Sequence, residues 1–585
     1  MAETLISPGV FLQENDLSQI QQGPIQVGAA IIGPAVLGPV NVPTLVRSYS
    51  DYKSKFGSLF VSGGTNYEYL TSIAAFNYFE QGGESLLVTR VASGSFTPAT
   101  ASVINSGSNV AFTLETLSTG IIMNNSGSSA ALAGSGSLPS GSINNIRWEI
   151  TAANTGSGTF TLIVRRGDDY NNQKNVLETW SNLSLDPNQN NYIEYVIGNQ
   201  TVNALQDEGG EYYLQTTGSY PVNSRYIRVK SVATPTPNYF DSLGNPQAEY
   251  TGYVPLKGSG SADGSFLGAT GQVLTAAAVN LFDNIPTTAA NSATPSTNTQ
   301  GVFSDSYAVA ISLLGNKDEY DFKTIYAPGL NNQNASNVVS DLVLTAQNRG
   351  DCIAVVDVTS YGQTITTATQ QAQSIDSSYG ATYWPWVQLR SQETGKLFFC
   401  PASTIVPAAY EYSDKISAEW FAPAGLTRGG LSTVIQPERR LTTAQRDTLY
   451  SGNVNPIAIF PGQGTVIYGQ KTLQAKPSAL DRVNVRRLLI TLKRYIGGVA
   501  ENLVFEQNSQ TTRNNFLNKV NPYLQIVQQK QGLYAYRVVM DDTNNTPDVI
   551  DRNQLVGAIY LQPTKTAEYI LLDFNIQPTG ATFGQ

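Results

Sequence analysis

The spacing of apolar residues changes character several times along the chain, and each change predicts a different kind of element. Residues 27–32 form an unbroken apolar run closed by Gly33-Pro34, the signature of a strand buried on both faces. Tyr69, Leu70, Ile73, Phe76 and Phe79 then share one face of a helix over residues 67–79, which Gly82-Gly83 ends before a second strand at 85–91. Residues 93–255 read differently. Short alternating runs at 147–151, 159–165, 192–197 and 226–232, divided by Gly, Ser and Asn, predict an inserted antiparallel β domain. Strand and helix alternation returns over 256–475, with a strand ending at Ala327-Pro328-Gly329, a helix over 338–348, an apolar strand at 352–358 and a helix from Ile405 onward. Beyond 476 the pattern predicts an amphipathic helix over 481–496 ended by Gly497-Gly498, a partly helical stretch over 513–531, and strands at 534–540, 556–561 and 569–576.

The fold class expected is therefore a multidomain α/β and α+β chain. Its divisions are a short strand-bearing N-terminal segment (1–22), a first α/β part (23–92), the inserted β domain (93–255), a second α/β part (256–475), a C-terminal domain (476–565) and a terminal strand segment (566–585). A strand as short as residues 10–12 is marginal alone and needs a sheet to join.

Composition narrows the function. Charged residues make up only 14% of the 585, and Ser, Thr, Asn, Gln and Gly carry the polarity, which suits β-rich, loop-rich surfaces. No Lys or Arg occurs between Arg90 and Arg147. Histidine is absent, which removes the commonest general base and metal ligand together. The two cysteines, Cys352 and Cys400, have no metal-ligand spacing and read as buried apolar residues, with a disulfide left open. A net charge of −9 argues against whole-surface nucleic-acid binding. The N-terminus has no secretory pattern, and no apolar run is long enough to span a membrane.

Catalytic patterns fail on inspection. The stretch from Gly464 to Lys471 approaches a phosphate-binding loop, but Gln470 separates Gly469 from Lys471, so amides and ammonium cannot converge as that loop requires. Asp541-Asp542 and Asp318-Glu319 are adjacent in sequence, which does not hold two carboxylates across a substrate, and turn chemistry explains them. No catalytic, cofactor or metal residue is expected.

The strongest signal outside the core is basic. Between Lys476 and Arg494 lie six cations and one acid, Asp481. On the 481–496 helix, Val485, Leu488, Leu489, Leu492 and Ile496 form an apolar stripe, with Arg482, Arg486, Arg487, Lys493 and Arg494 beside it. That face can be merely solvated, can meet nucleic acid, or can dock an acidic protein.

Several segments, in collinear order, resemble one family. They are Ser7-Pro8-Gly9-Val10-Phe11-Leu12-Gln13-Glu14, the Gly258–Gly264 turn, Ile325-Tyr326-Ala327-Pro328-Gly329, Trp420-Phe421-Ala422-Pro423-Ala424-Gly425 with Arg428-Gly429, and Asn455-Pro456-Ile457 with Gly464 to Leu473, where Tyr468 replaces a usual Trp. Arg486-Arg487-Leu488 and Val504-Phe505-Glu506-Gln507-Asn508 follow. The chain resembles contractile bacteriophage (myovirus) tail sheath proteins throughout, apart from the insertion. The resemblance implies a structural subunit with a sheath-like core and extended N- and C-terminal arms, stacking as hexameric rings around an inner tube and contracting to drive that tube through a host envelope. It implies strand exchange between subunits through Val10, Phe11 and Leu12 at one end and Tyr569, Ile570, Leu571 and Leu572 at the other. It also implies a tube contact through Arg482, Arg486, Arg487, Lys493 and Arg494. The implied partners are neighbouring sheath subunits, the tail tube protein, and baseplate and tail terminator proteins, with no nucleic acid contacted directly and no membrane insertion. The implied location is the virion tail, assembled in host cytoplasm. Two other readings stand beside it: a β-rich, adhesin-like surface protein, and the sheath of a non-viral contractile injection particle.

Overall fold

The computed structural model describes residues 26–62, 65–93, 98–119, 146–167, 169, 172–261 and 302–568. The 10–12 strand, the 569–576 strand and the exchange residues on them lie outside this set.

One sheet organises the chain. Its strands are β1 (Gln26–Gly33), β2 (Thr44–Val46), β3 (Leu86–Arg90), β4 (Asp321–Asn331), β5 (Ile353–Asp357), β6 (Gly380–Trp384), β7 (Asn455–Phe460) and β8 (Gly464–Ile467). They lie in the order β2-β3-β1-β4-β5-β6-β7-β8. The inner neighbours pair in parallel and only the outermost strands, β2 and β8, run antiparallel. Every residue of β3, β5 and β6 is buried, because helices cover both faces of a parallel sheet. Helix α1 (Leu70–Glu80) and helix α3 (Val406–Ile416) close one face, where Ile31, Val355 and Tyr383 meet Ile73, Val406 and Tyr410. Helix α2 (Ser336–Arg349) closes the other through Val339, Leu342 and Val343.

Cys352 sits in the core on the α2 side and Cys400 in the core on the α1 side, so the sheet separates them and both thiols are free. Burial pushes each thiol up to about 12, which leaves them unreactive.

Strand β4 runs past the expected stop at Ala327-Pro328-Gly329. Pro328 cannot donate to a ladder, and the ladder to β5 is interrupted between Tyr326 and Asn331, with Gly329 at φ 89°.

The insertion is built on two antiparallel sheets packed face to face, with a separate two-stranded hairpin, Thr201–Gln206 with Tyr212–Thr217, beside them. One contains Val176–Ser184, Thr159–Arg166, Ile146–Asn154 and Gly258–Ser261; the other contains Ile227–Val232, Val110–Thr116 and Thr100–Ile104. Phe112 stacks on Phe160 between them, ring centroids 5.6 Å apart. The strand Gly258–Ser261 carries this sheet beyond the expected boundary at 255. Its Gly-Ser-Gly-Ser sequence has no apolar alternation, so backbone pairing alone reveals it. A buried charge cluster pins one end: Asp169 accepts from Arg165 Nε at 2.7 Å and Arg147 Nη1 at 2.9 Å.

The C-terminal unit contains helix α4 (Val483–Glu501), helix α5 (Gln510–Gln529) and the antiparallel pair Leu533–Val539 with Ala558–Pro563. Leu488 and Leu492 of α4 pack with Phe516, Val520, Leu524 and Val527 of α5. Helix α4 passes straight through Gly497-Gly498, where the sequence predicts a stop. Ile496, Val499 and Leu503 continue the apolar stripe into the same core, and neither glycine takes the left-handed conformation that would end the helix.

Candidate functional site

Helix α4 joins two cores. Val483 and Ile490 enter the central core beside the sheet, while Leu488 and Leu492 enter the C-terminal core. At 100° per residue, the two pairs point about 140° or more apart around the helix. The helix is thus buried from two sides, and its cations lie between or beside the two apolar faces.

This corrects the expectation of a free basic face at Arg482, Arg486, Arg487, Lys493 and Arg494. Arg486 and Arg487 are buried. Arg487 donates from Nη2 to Asp414 Oδ2 at 2.5 Å, with its guanidinium 4.6 Å from the Tyr410 ring centre. Arg494 pairs with Asp321 at the start of β4, and Arg482 donates from Nε to Glu568 Oε1 at 2.7 Å. Arg486 donates to Ser378 and lies 4.0 Å above the Tyr379 ring; Lys493 donates to the Tyr379 hydroxyl at 3.0 Å. Of the five, only Lys493 is exposed. The carboxylates on Asp414, Asp321 and Glu568 are 73, 173 and 86 residues from their cations, a distance no helical spacing rule reaches.

An open cavity of about 490 Å³ lies behind this junction. Tyr78 and Glu84 face it from α1 and the loop after it, Lys323 from β4, Glu411, Asp414 and Lys415 from α3, Glu419 from the following loop, and Thr491 and Arg494 from α4. Glu419 accepts from both Lys323 and Thr491, and these contacts with the Arg487 charge hold its carboxyl below the usual range against the opposing effect of burial. Asp414 is pushed up by burial and drawn back by Arg487. Burial, reinforced by the Asp414 charge, pushes Glu411 up to about 7. Among the described residues no cation lies within ion-pair distance of Glu411, and no cluster of three or more Asp, Glu or Cys side chains could hold a metal. The sequence signal for this acidic group was the apolar helix of residues 405 onward, whose polar face carries Glu411 and Asp414 at helical spacing.

The outer edges of the Leu533–Val539 and Ala558–Pro563 pair carry no further strand among the described residues. Tyr534 and Tyr560 stand exposed on that hairpin. No helix of the described residues is long and apolar enough to cross a membrane.

Known proteins share these elements. Residues 304–473 match the family model of the phage tail sheath protein central domain, and residues 475–577 that of the phage tail sheath C-terminal domain. The tail sheath protein of Enterobacteria phage T4 is 44% identical over 173 residues, 30% of this chain and 26% of that protein. The tail sheath protein of Salmonella phage ViI is 30% identical over 275 residues, 45% of this chain and 43% of that protein. The matched part of the chain thus spans between a quarter and a half of these relatives' length. In fold, the sheath tail protein from Listeria innocua superposes with a TM-score of 0.51 at 10% identity, covering 92% of this chain and 95% of that one.

Two outcomes follow from the junction. Arg487→Met leaves Asp414 buried and unpaired, so unfolding measured by chemical denaturation should cost about 3 kcal/mol less than in the parent chain. Glu411 is held neutral in the folded state, so the parent loses stability as pH rises from the ordinary glutamate range through about 7. Glu411→Gln should therefore raise the thermal midpoint at pH 8 and leave it nearly unchanged at pH 5. With both matches lying along the sheet and α4, residues 304–473 and 475–577 are similar to the central and C-terminal domains of phage tail sheath proteins.

Proposed function

We propose that this chain is a structural subunit of a contractile tail sheath, polymerising as stacked rings around an inner tube and shortening to drive that tube through a host envelope. The observation that carries this reading is the pair of adjoining sheath domain matches, residues 304–473 and 475–577, whose described part includes strands of the central sheet and the α4 junction. The role is structural and no catalytic step is assigned to the chain. Its partners are neighbouring copies, the tube protein, and baseplate and terminator proteins; its place is the virion tail, after assembly in host cytoplasm.

The divisions of the chain carry separate tasks in this reading. The sheet and its helices form the body that moves as a unit. Residues 1–22 and 566–585 link copies by adding strands through Val10, Phe11 and Leu12 and through Tyr569, Ile570, Leu571 and Leu572. The hairpin Leu533–Val539 with Ala558–Pro563 supports this link, because its two edges, unpaired among the described residues, offer backbone donors and acceptors to incoming strands. The C-terminal unit faces the tube. Since Arg482, Arg486, Arg487 and Arg494 are engaged within the chain, Lys493 is the cation left on α4 to meet an acidic tube surface.

Removing residues 1–20 should leave a folded monomer, by circular dichroism and light scattering, that builds no ordered tubes under the electron microscope. Tubes indistinguishable from those of the full chain would sink the linking role of that segment. Lys493→Glu should weaken co-sedimentation with purified tube several-fold at low salt and reduce its salt dependence; unchanged binding would place the tube contact elsewhere.

A further inference from the structure

Two exposed features near opposite ends of α4 take no part in the junction. The first is the loop from α4 to α5. Phe505 is fully exposed and Val504 is 61% exposed, although Leu503 beside them packs against the C-terminal core. Phe505 holds φ at 69°, a left-handed conformation that is costly for a bulky residue. The loop is fixed on both sides of this tip. Glu506 N donates to Leu503 O at 3.0 Å, Asn508 Nδ2 donates to Gln554 O at 2.8 Å, and Ser509 Oγ accepts from Thr512 N at the start of α5. Its charge has one sign: Glu501 and Glu506 flank the tip, and no Lys or Arg occurs between Arg494 and Arg513. Neither acid has an ion-pair partner among the described residues. The result is a rigid apolar knob with an acidic rim.

The second is a shelf at the edge of the central sheet. Arg446 lies on the helix Thr443–Ser451, its guanidinium 5.3 Å from the ring centre of Phe460 and 5.6 Å from that of Tyr468. Phe460, at the end of β7, and Tyr468, just past β8, pack with centroids 4.9 Å apart, and Tyr468 is 47% exposed. Arg446 donates to Leu441 O and Thr443 Oγ1, both at 3.1 Å, and has no carboxylate partner among the described residues. The adjacent Asp447 points about 100° away around that helix.

Knob and shelf cannot meet within one chain. The Arg482 guanidinium, at the start of α4, lies 5.8 Å from the Tyr450 ring centre, and Tyr450 is one helical turn from Arg446. The knob follows the last residue of α4, Glu501. The 19 residues of that helix separate the two by about 28 Å, at about 1.5 Å per residue.

We propose that the knob of one copy docks on the shelf of another, with Val504 and Phe505 covering the rings of Phe460 and Tyr468 and Glu506 pairing with Arg446. Charge complementarity argues for a second copy as the occupant, because the knob lacks a cation and the shelf lacks an acid to answer Arg446. Aromatic rings and Arg are the groups that carry most binding energy at interfaces, and a loop already fixed loses little freedom on docking. The two surfaces differ, so the contact is heterologous and continues from copy to copy instead of closing into a dimer. It rests on the reading of the chain as a polymerising subunit, and adds a contact between the bodies of neighbouring copies to the strand links proposed for the ends.

Sedimentation of the full chain over a range of concentrations tests this. Phe505→Asn relieves the left-handed strain, so its monomer should melt no lower than the parent's, while the concentration for half assembly rises at least tenfold. Arg446→Glu and Glu506→Arg should each raise that concentration likewise, and the two together should bring it back to within threefold of the parent. Phe505→Cys with Tyr468→Cys, both at exposed positions, should give a ladder of cross-linked multimers on mild oxidation, since the native thiols are buried. Parent assembly that is unchanged by Phe505→Asn and by both charge reversals, or cross-linking that stops at a dimer, would overturn the contact and leave the sheath reading standing. A parent chain that never assembles would overturn both.

Discussion

Helix α4 is packed against apolar surface on two sides, and much of the molecule follows from that double burial. A helix with one apolar stripe leaves its cations in water. This one gives Val483 and Ile490 to the central core and Leu488 and Leu492 to the C-terminal core, so cations between them lose their hydration. Each needs a partner supplied by a distant segment. Asp414 and Tyr410 of α3 answer Arg487, Asp321 of β4 answers Arg494, and Tyr379 lies between Arg486 and Lys493. Such buried pairs contribute little net stability beyond what apolar side chains would give, but each is costly to break singly. Their consequence is register: α4 can dock on the sheet in one orientation, and the C-terminal unit is carried with it.

The sheet provides the fixed frame for that docking through a pairing of long range. Strand β1 lies between β3 and β4, so residues 26–33 join partners near 86–90 and 321–331 in one parallel array. The chain leaves this array at β3 and returns at β4, two strands separated only by β1. A large module can be inserted between two such close points with little disturbance to the frame. The inserted β sandwich is nonetheless seated, since Val36 and Tyr69 from the first α/β part enter its core beside Phe112 and Leu162.

The parallel strands were legible because full burial writes itself as apolar runs: residues 27–32, 85–91 and 352–358 fall on β1, β3 and β5. Features set by backbone geometry or by distant partners were not. The Gly-Ser strand at 258–261 carries no hydrophobic pattern. The extension of α4 beyond Gly497-Gly498 depends on Val499 and Leu503 finding a core, which outweighs the cost of two helical glycines, about 1 kcal/mol each. The basic face was misjudged for a related reason. The apolar stripe at 485, 488, 489, 492 and 496 is real, but Val483 and Ile490 define a second buried face, and two apolar residues among cations give too weak a period to announce it. The acids that neutralise the face lie in other elements, where only the tertiary structure brings them near.

The distribution of charge among the ends and the body sharpens the sheath reading. Residues 1–46 contain no Lys or Arg and carry Glu3, Glu14 and Asp16, while residues 569–585 carry only Asp573. Segments so poor in charge of one sign cannot pair with each other through ion pairs, and two copies of either end repel weakly at short range. In the proposed link, a receiving surface must supply open backbone edges. The hairpin Leu533–Val539 with Ala558–Pro563 offers outer edges that are open among the described residues, but between Leu533 and Pro563 the acids Asp541, Asp542, Asp548 and Asp551 outnumber Arg537 and Arg552. Backbone pairing sets the geometry of such a link and is indifferent to sequence, whereas the sign of the charges decides which strand may approach which edge. In the proposed link, an end strand that joins a hairpin edge pairs unlike parts of neighbouring copies, head to tail. Heterologous contacts of that kind propagate into helical or stacked assemblies, whereas pairing of like ends would close into isolated dimers.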